Sequence, residues 1–142
     1  KDKISPLQLA DALEKDSRTV INLVKQLRPK ATTALSCELD DLETWAYLSQ
    51  YLADKLRAGV ALQTFRVNND KASQQKAVDL LSTCVEHWKK IAEITSSHYR
   101  EVPYLDDQST KSQPDNDGKI FSWSKYLPQV ERDVSIAKDG EK

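Results

Sequence analysis

The chain has 142 residues, of which 39% are hydrophobic and 30% charged, with only 3 glycines. This composition suits one helical domain with its own core and argues against sandwiches and barrels, whose turns need glycine. A net charge of −1 leaves no basic footprint for nucleic acid, and no run approaches the roughly 18 apolar residues of a membrane span.

The first predicted element is "ISPLQLADALEKDSRTVINLVKQLRP". Ser5 is placed as the N-cap, Pro6 as the first helical residue and Gln8 as the return partner of a capping box. Ile4 and Leu9 have the spacing of a hydrophobic staple. Ala10, Leu13, Ser17, Val20, Val24 and Leu27 recur at helical spacing and form the predicted inner face. Pro29 ends the helix, and "KATTALS" reads as a connector.

"CELDDLETWAYLSQYLADKLRAGVALQTFRV" reads as a long second helix. Glu38, Asp40, Asp41 and Glu43 fall in its predicted first turn, where carboxylates complement the helix dipole. The same acids could hold a cation, but a solvated first turn is the simpler reading. Leu42, Trp45, Leu48, Leu52, Leu56 and Val60 are expected to face inward, with Gly59 marking close approach of a neighbour. Asn68 to Asp70 form the next turn, and Asp70 caps a third helix over about Lys71 to Arg100. Pro103 forbids its continuation. A polar loop is expected at about 101–121. The last helix begins near Ser124 to Leu127, because Pro128 is tolerated only in a first turn. Leu127, Val130, Val134 and Ala137 form its inner face, and Phe121 and Trp123 anchor it to the bundle.

The third segment, "LSTCVEHWKKIAEITSSHYRE", holds the residues with chemical potential. On a helix, Leu81, Cys84, Trp88, Ile91, Thr95 and His98 share one stripe, with Val78, Val85, Ala92 and Tyr99 beside it. Lys89, Lys90 and Glu93 fall outside. Cys84 therefore reads as a packing residue, and His98 as a hydrogen-bonding group at a helix end. His87 and His98 are roughly 16 Å apart along the axis, too far to share a metal. Cys84 and His87 supply at most two zinc ligands, with no third histidine elsewhere. A Cys84–His87 nucleophile pair lacks both an exposed thiol and a nearby oxyanion site. "DNDG" is a poor calcium loop, because Gln113 and Ser124 stand where carboxylates are needed. No metal, no cofactor and no catalytic residue is expected. A disulfide between Cys37 and Cys84 is excluded by an axial offset of roughly 25 Å, against the limit of about 7 Å between bridged Cα atoms.

Five tyrosines, Tyr47, Tyr51, Tyr99, Tyr104 and Tyr126, could stack on sugar faces, although aromatics at helical spacing more often sit at the core edge. The candidate ligand-binding residues are Tyr104, Phe121 and Trp123. The expected architecture is an all-α antiparallel bundle of four main helices in one domain spanning 1–142.

"YLADKLRAGVALQTFRVNNDKASQQKAVDLLSTCVEHWKKIAEITSSHY" and "FSWSKYLPQVERDVSIA" carry a resemblance. Tyr51, Lys55, Leu62, Ala77, Leu81, Trp88 and Tyr99, then Trp123, Leu127, Val130, Asp133 and Ala137, make up the pattern. It resembles the helical C-terminal region of large exported Bacteroidetes proteins associated with glycan use. Those proteins are similar to glycoside hydrolases such as α-glucuronidases, and some are labelled carbohydrate-binding. "SPLQLADALEKDSRTVINLV" is similar to the helix that enters this region. The pattern concerns packing and carries over no catalytic residue. It implies a non-catalytic accessory domain of a periplasmic or cell-surface protein, buttressing the glycan-processing part of its parent. The absence of Met and an opening "KDKISP" without the apolar core of a signal peptide agree with a segment of a longer polypeptide. The expected partner is then the rest of that polypeptide. The alternative is a binding module that grips a glycan or a protein through exposed aromatics.

Overall fold

The computed structural model describes residues 3–101 and 121–140. Among these, four α-helices follow one another: α1 (Pro6–Leu27), α2 (Thr33–Asn68), α3 (Lys71–Ser96) and α4 (Leu127–Asp139). Short 3-10 turns at Arg28–Lys30 and Trp123–Tyr126 precede α2 and α4. The long α2 is the spine, with α1 packed against it on one side, α3 on another, and α4 laid on α3. Side-chain links fix the antiparallel sense of α1 with α2 and of α3 with α4. Arg57, far along α2, reaches Asp11 and Glu14 near the start of α1, while Arg28 at the end of α1 meets Asp40 and Glu43 early in α2. Gln74, early in α3, donates to the carbonyls of Ala137 and Lys138 at the end of α4. The fold is the expected all-α bundle.

Local chemistry sets the helix ends. The Ser5 and Gln8 capping box is complete, each side chain accepting from the other's backbone N–H. Asp70 accepts from the N–H groups of Ala72 and Ser73, and these bonds, led by the one from the Ser73 hydroxyl, hold its carboxyl below the usual range. Asn69 closes α2 in the left-handed conformation, as Gly140 does for α4. Only glycine fits the second place, since an added Cβ would lie 2.9 Å from Phe65 Cε1.

Several expectations are corrected. The second helix starts at Thr33 with Thr32 as N-cap, so no acid lies in its first turn. Asp40 and Glu43 instead clamp Arg28. None of the predicted inner stripe of α2 is fully buried: Leu42 is 50% exposed, Trp45 64% and Leu52 43%, while Leu48, Leu56 and Val60 are half-buried. The buried residues of α2 are Leu39, Thr44, Ala46, Ala53, Ala58, Ala61 and Phe65. The reason is that α2 has neighbours on two sides, and alanines let both backbones approach. Leu39, Ala46 and Ala53 share a face with Glu43 and Arg57, which ion-pair with residues of α1 and its following turn. Ala58 and Ala61 join the core of Ala77, Leu81, Cys84, Val85, Val130 and Ala137. On α1, Ile21 is buried and Leu27 exposed, a small rotation of the predicted face, and both Ile4 and Leu9 are exposed. The third helix ends at Ser96, so His98 and Tyr99 lie beyond it and are exposed rather than inward.

Gly59 is exposed, and a Cβ added there meets nothing within 4 Å. It does not mark close approach of a neighbour. Gly59→Ala is therefore expected to stabilise the fold by about 0.5–1 kcal/mol through helix propensity and a restricted unfolded chain. Urea denaturation checks this, and a loss of stability would mean that a neighbour is closer than it stands here.

Candidate aromatic cleft

The cleft is built by a chain of rings that starts in the core. Tyr51 on α2 meets the edge of Trp88 on α3, with centroids 5.0 Å apart. Trp88 meets Trp123 at 5.4 Å, Trp123 meets Phe121 at 5.6 Å, and Phe121 meets Tyr126 at 5.6 Å. These spacings and tilts are those that aromatic pairs favour. The Trp88 indole N–H donates to the Trp123 carbonyl at 2.8 Å, which pins the turn before α4 onto α3. Lys55 extends the anchoring by donating to the Tyr51 hydroxyl and pairing with Asp133 of α4, both at 2.8 Å.

Where α2, the end of α3 and the Trp123–Tyr126 turn converge, they enclose a cleft of about 470 Å³. Trp45, Tyr99, Phe121 and Trp123 give it aromatic surface. Asp41, Thr44, Arg100 and Glu101 give it polar surface. Thr44 is buried, and its hydroxyl oxygen has no hydrogen-bond partner among the described residues. The Tyr99 hydroxyl donates to Asp41, and that bond, with a smaller contribution from desolvation, raises the phenol's pKa and keeps it a donor. Lys125 pairs with Glu101 at 3.1 Å across the same end of the bundle.

Of the three sequence-predicted site residues, Phe121 and Trp123 are brought together here, and Tyr104 lies outside the described residues. So does most of the expected polar loop, including the "DNDG" stretch. Trp45, Thr44 and Arg100 are not among the expected site residues, and Asp41 is expected there only as part of a possible cation-holding acid cluster. Helical spacing places Trp45 on the core stripe, but the seven-residue series Leu39, Ala46 and Ala53 lies on a different face of α2 and is the one that is buried. Tyr51 lies in the packed chain of rings, while Tyr47 sits against His87 with centroids 6.2 Å apart.

The two cysteines are free and occupy opposite environments. Cys84 is buried beneath the aromatic chain, and its S–H donates to the Tyr51 carbonyl at 3.5 Å. His87 turns away from it to Asp54 at 3.1 Å. Cys37 is exposed near the other end of α3. Among the described residues no group of three or more His, Cys, Asp or Glu side chains is placed to hold a metal ion, and no helix is long and apolar enough to cross a membrane. Comparison with protein-family models, with curated proteins and with solved structures finds no match to the chain.

Proposed function

We propose that this chain is a non-catalytic helical binding module whose aromatic cleft takes a carbohydrate-class ligand. The observation that carries the reading is the union of Trp45, Tyr99, Phe121 and Trp123 with Asp41, Thr44 and Arg100 around one cavity. A sugar ring has apolar C–H faces and a rim of hydroxyls. It needs flat aromatic surface for the first and convergent donors and acceptors for the second, and mostly apolar pockets with a few placed polar groups suit such ligands. The unmet Thr44 hydroxyl adds a group that gains a partner on binding.

A second reading rests on a separate observation. Leu35, Leu42 and Leu52 all lie exposed along α2 outside the cleft, a stripe of the kind that another polypeptide covers. It supports the accessory-domain role, in which this bundle buttresses a larger glycan-processing protein.

One experiment separates the two. Neutral and acidic oligosaccharides are titrated into the protein while tryptophan fluorescence is followed, with Trp45→Ala and Leu42→Glu as variants. The cleft reading expects saturable binding, a loss of at least about tenfold in affinity for Trp45→Ala (about 1.4 kcal/mol), and no change for Leu42→Glu, which lies outside the cleft. Silence across the panel at millimolar sugar would sink the cleft reading and leave the α2 stripe as the functional surface.

A further inference from the structure

At the end of the bundle that holds the α1–α2 connection, three side chains stand in series. Cys37 and Asp40 are three residues apart on α2 and so share a face. His98, in the turn after α3, reaches across to both. Its Nε2 bonds the Asp40 carboxylate, and its Nδ1 faces the Cys37 sulfur at 3.9 Å. Asp40 is itself held by Arg28 at 2.7 Å, and Arg28 also grips Glu43 at 2.6 Å. The carboxylate is therefore fixed from the α1 side while it orients the ring from the α2 side. A carboxylate that accepts from Nε2–H selects the tautomer whose lone pair is on Nδ1. That lone pair is the one turned toward the thiol. The arrangement is nucleophile, base and orienting acid, with the nucleophile and the acid on one face of α2 and the base in the turn after α3. The sulfur is exposed, unlike that of Cys84.

We propose that Cys37 is a reactive thiol site, served by His98 as base, that exchanges with small disulfides. In the exchange His98 Nδ1 takes the thiol proton, and the Cys37 sulfur attacks one sulfur of the incoming disulfide. That S–S bond breaks, and the departing thiolate collects the proton from the imidazolium. The products are one mixed disulfide on Cys37 and one free small thiol. The disulfide is the only co-reactant, and the exchange involves no net gain or loss of electrons. The site does not turn over, which is consistent with a non-catalytic module, and it stands independently of the sugar reading.

The test uses 4,4′-dithiodipyridine, a neutral disulfide whose released thione is followed by absorbance at pH 7. The native protein is expected to react fast at one thiol, and at a rate roughly tenfold above that of the same thiol in the urea-unfolded chain. Peptide mapping should place the adduct on Cys37. His98→Gln is expected to bring the native rate down to the unfolded one, and Asp40→Asn to lower it part of the way. A native rate equal to or below the unfolded rate overturns the proposal, as does a folded His98→Gln variant that reacts as fast as the parent. The native-to-unfolded comparison needs no variant, so it decides the matter even where a substitution prevents folding.

Discussion

Trp88→Ala is expected to lower the unfolding free energy by about 3 kcal/mol, near the bottom of the range for removing a large core aromatic because the ring is only half-buried. Three losses combine. The ring's contacts with Tyr51 and Trp123 disappear. The Trp123 carbonyl loses its indole donor. The turn Trp123–Tyr126, and through it the start of α4, loses its principal tie to α3. Trp88→Phe separates these contributions, since it retains most of the packing and removes the donor. It is expected to cost about 1 kcal/mol beyond the small change in ring area. The measurement is urea denaturation followed by far-ultraviolet circular dichroism, because the substitution removes a fluorophore. If the cleft reading holds, Trp88→Ala also weakens ligand binding even though Trp88 does not line the cleft, because Trp123 and Phe121 are no longer held. A loss below about 1 kcal/mol would mean that the aromatic chain does not secure α4.

The second large effect is a loss of stability at alkaline pH that depends on Cys84. Burial pushes the Cys84 thiol up to about 12, with the Asp54 charge adding to the shift. In the unfolded chain the same thiol ionises near about 8.5. The thiol is neutral when protonated, so as pH rises past that lower value the unfolded state releases a proton that the folded state keeps. The unfolded state is favoured by up to about 1.4 kcal/mol per pH unit until the folded pKa is reached. The contribution is thus fully present below about pH 8 and is lost as pH climbs toward 12. Cys84→Ala, which should be less stable at neutral pH because of the space it leaves, lacks this dependence. The stability gap between the two proteins is expected to narrow by about 1 kcal/mol per unit above pH 9. Tyr47, Tyr99 and Lys55 also have raised values and lose stability in the same direction, but they are common to both proteins and cancel in the difference. A gap that stays constant from pH 8 to pH 10.5 would show that Cys84 is solvated in the folded state.

Cys37 and Cys84 show how much environment, and how little residue type, governs the chemistry. One thiol lies against a carbonyl in the core, and the other lies open beside an oriented imidazole. Cys84 and His87 are close along the chain, yet the thiol is buried and the ring turns away to Asp54. Cys37 and His98 are invisible as a pair in the sequence, because 61 positions separate them and only the α2–α3 hairpin brings them together.

Features whose cause lies within a few residues are legible in the chain alone. The Ser5–Gln8 capping box, Pro6 at the first helical position, the Asp70 cap, the stop near Pro29 and the inward placing of Leu81, Cys84, Ile91 and Thr95 all belong here, as does the all-α class. Each depends on backbone groups or periodicity that a short window contains. The orientation of α2 and the composition of the cleft emerge only when the helices pack. A helix with partners on two sides carries apolar residues around most of its circumference, so periodicity does not single out one face. The close-packed faces went to alanine, because the helix axes could then approach, and Trp45 was left facing solvent beside Tyr99. The cleft joins residues from α2, the end of α3 and the turn before α4, and that meeting is a product of packing, which no local pattern encodes.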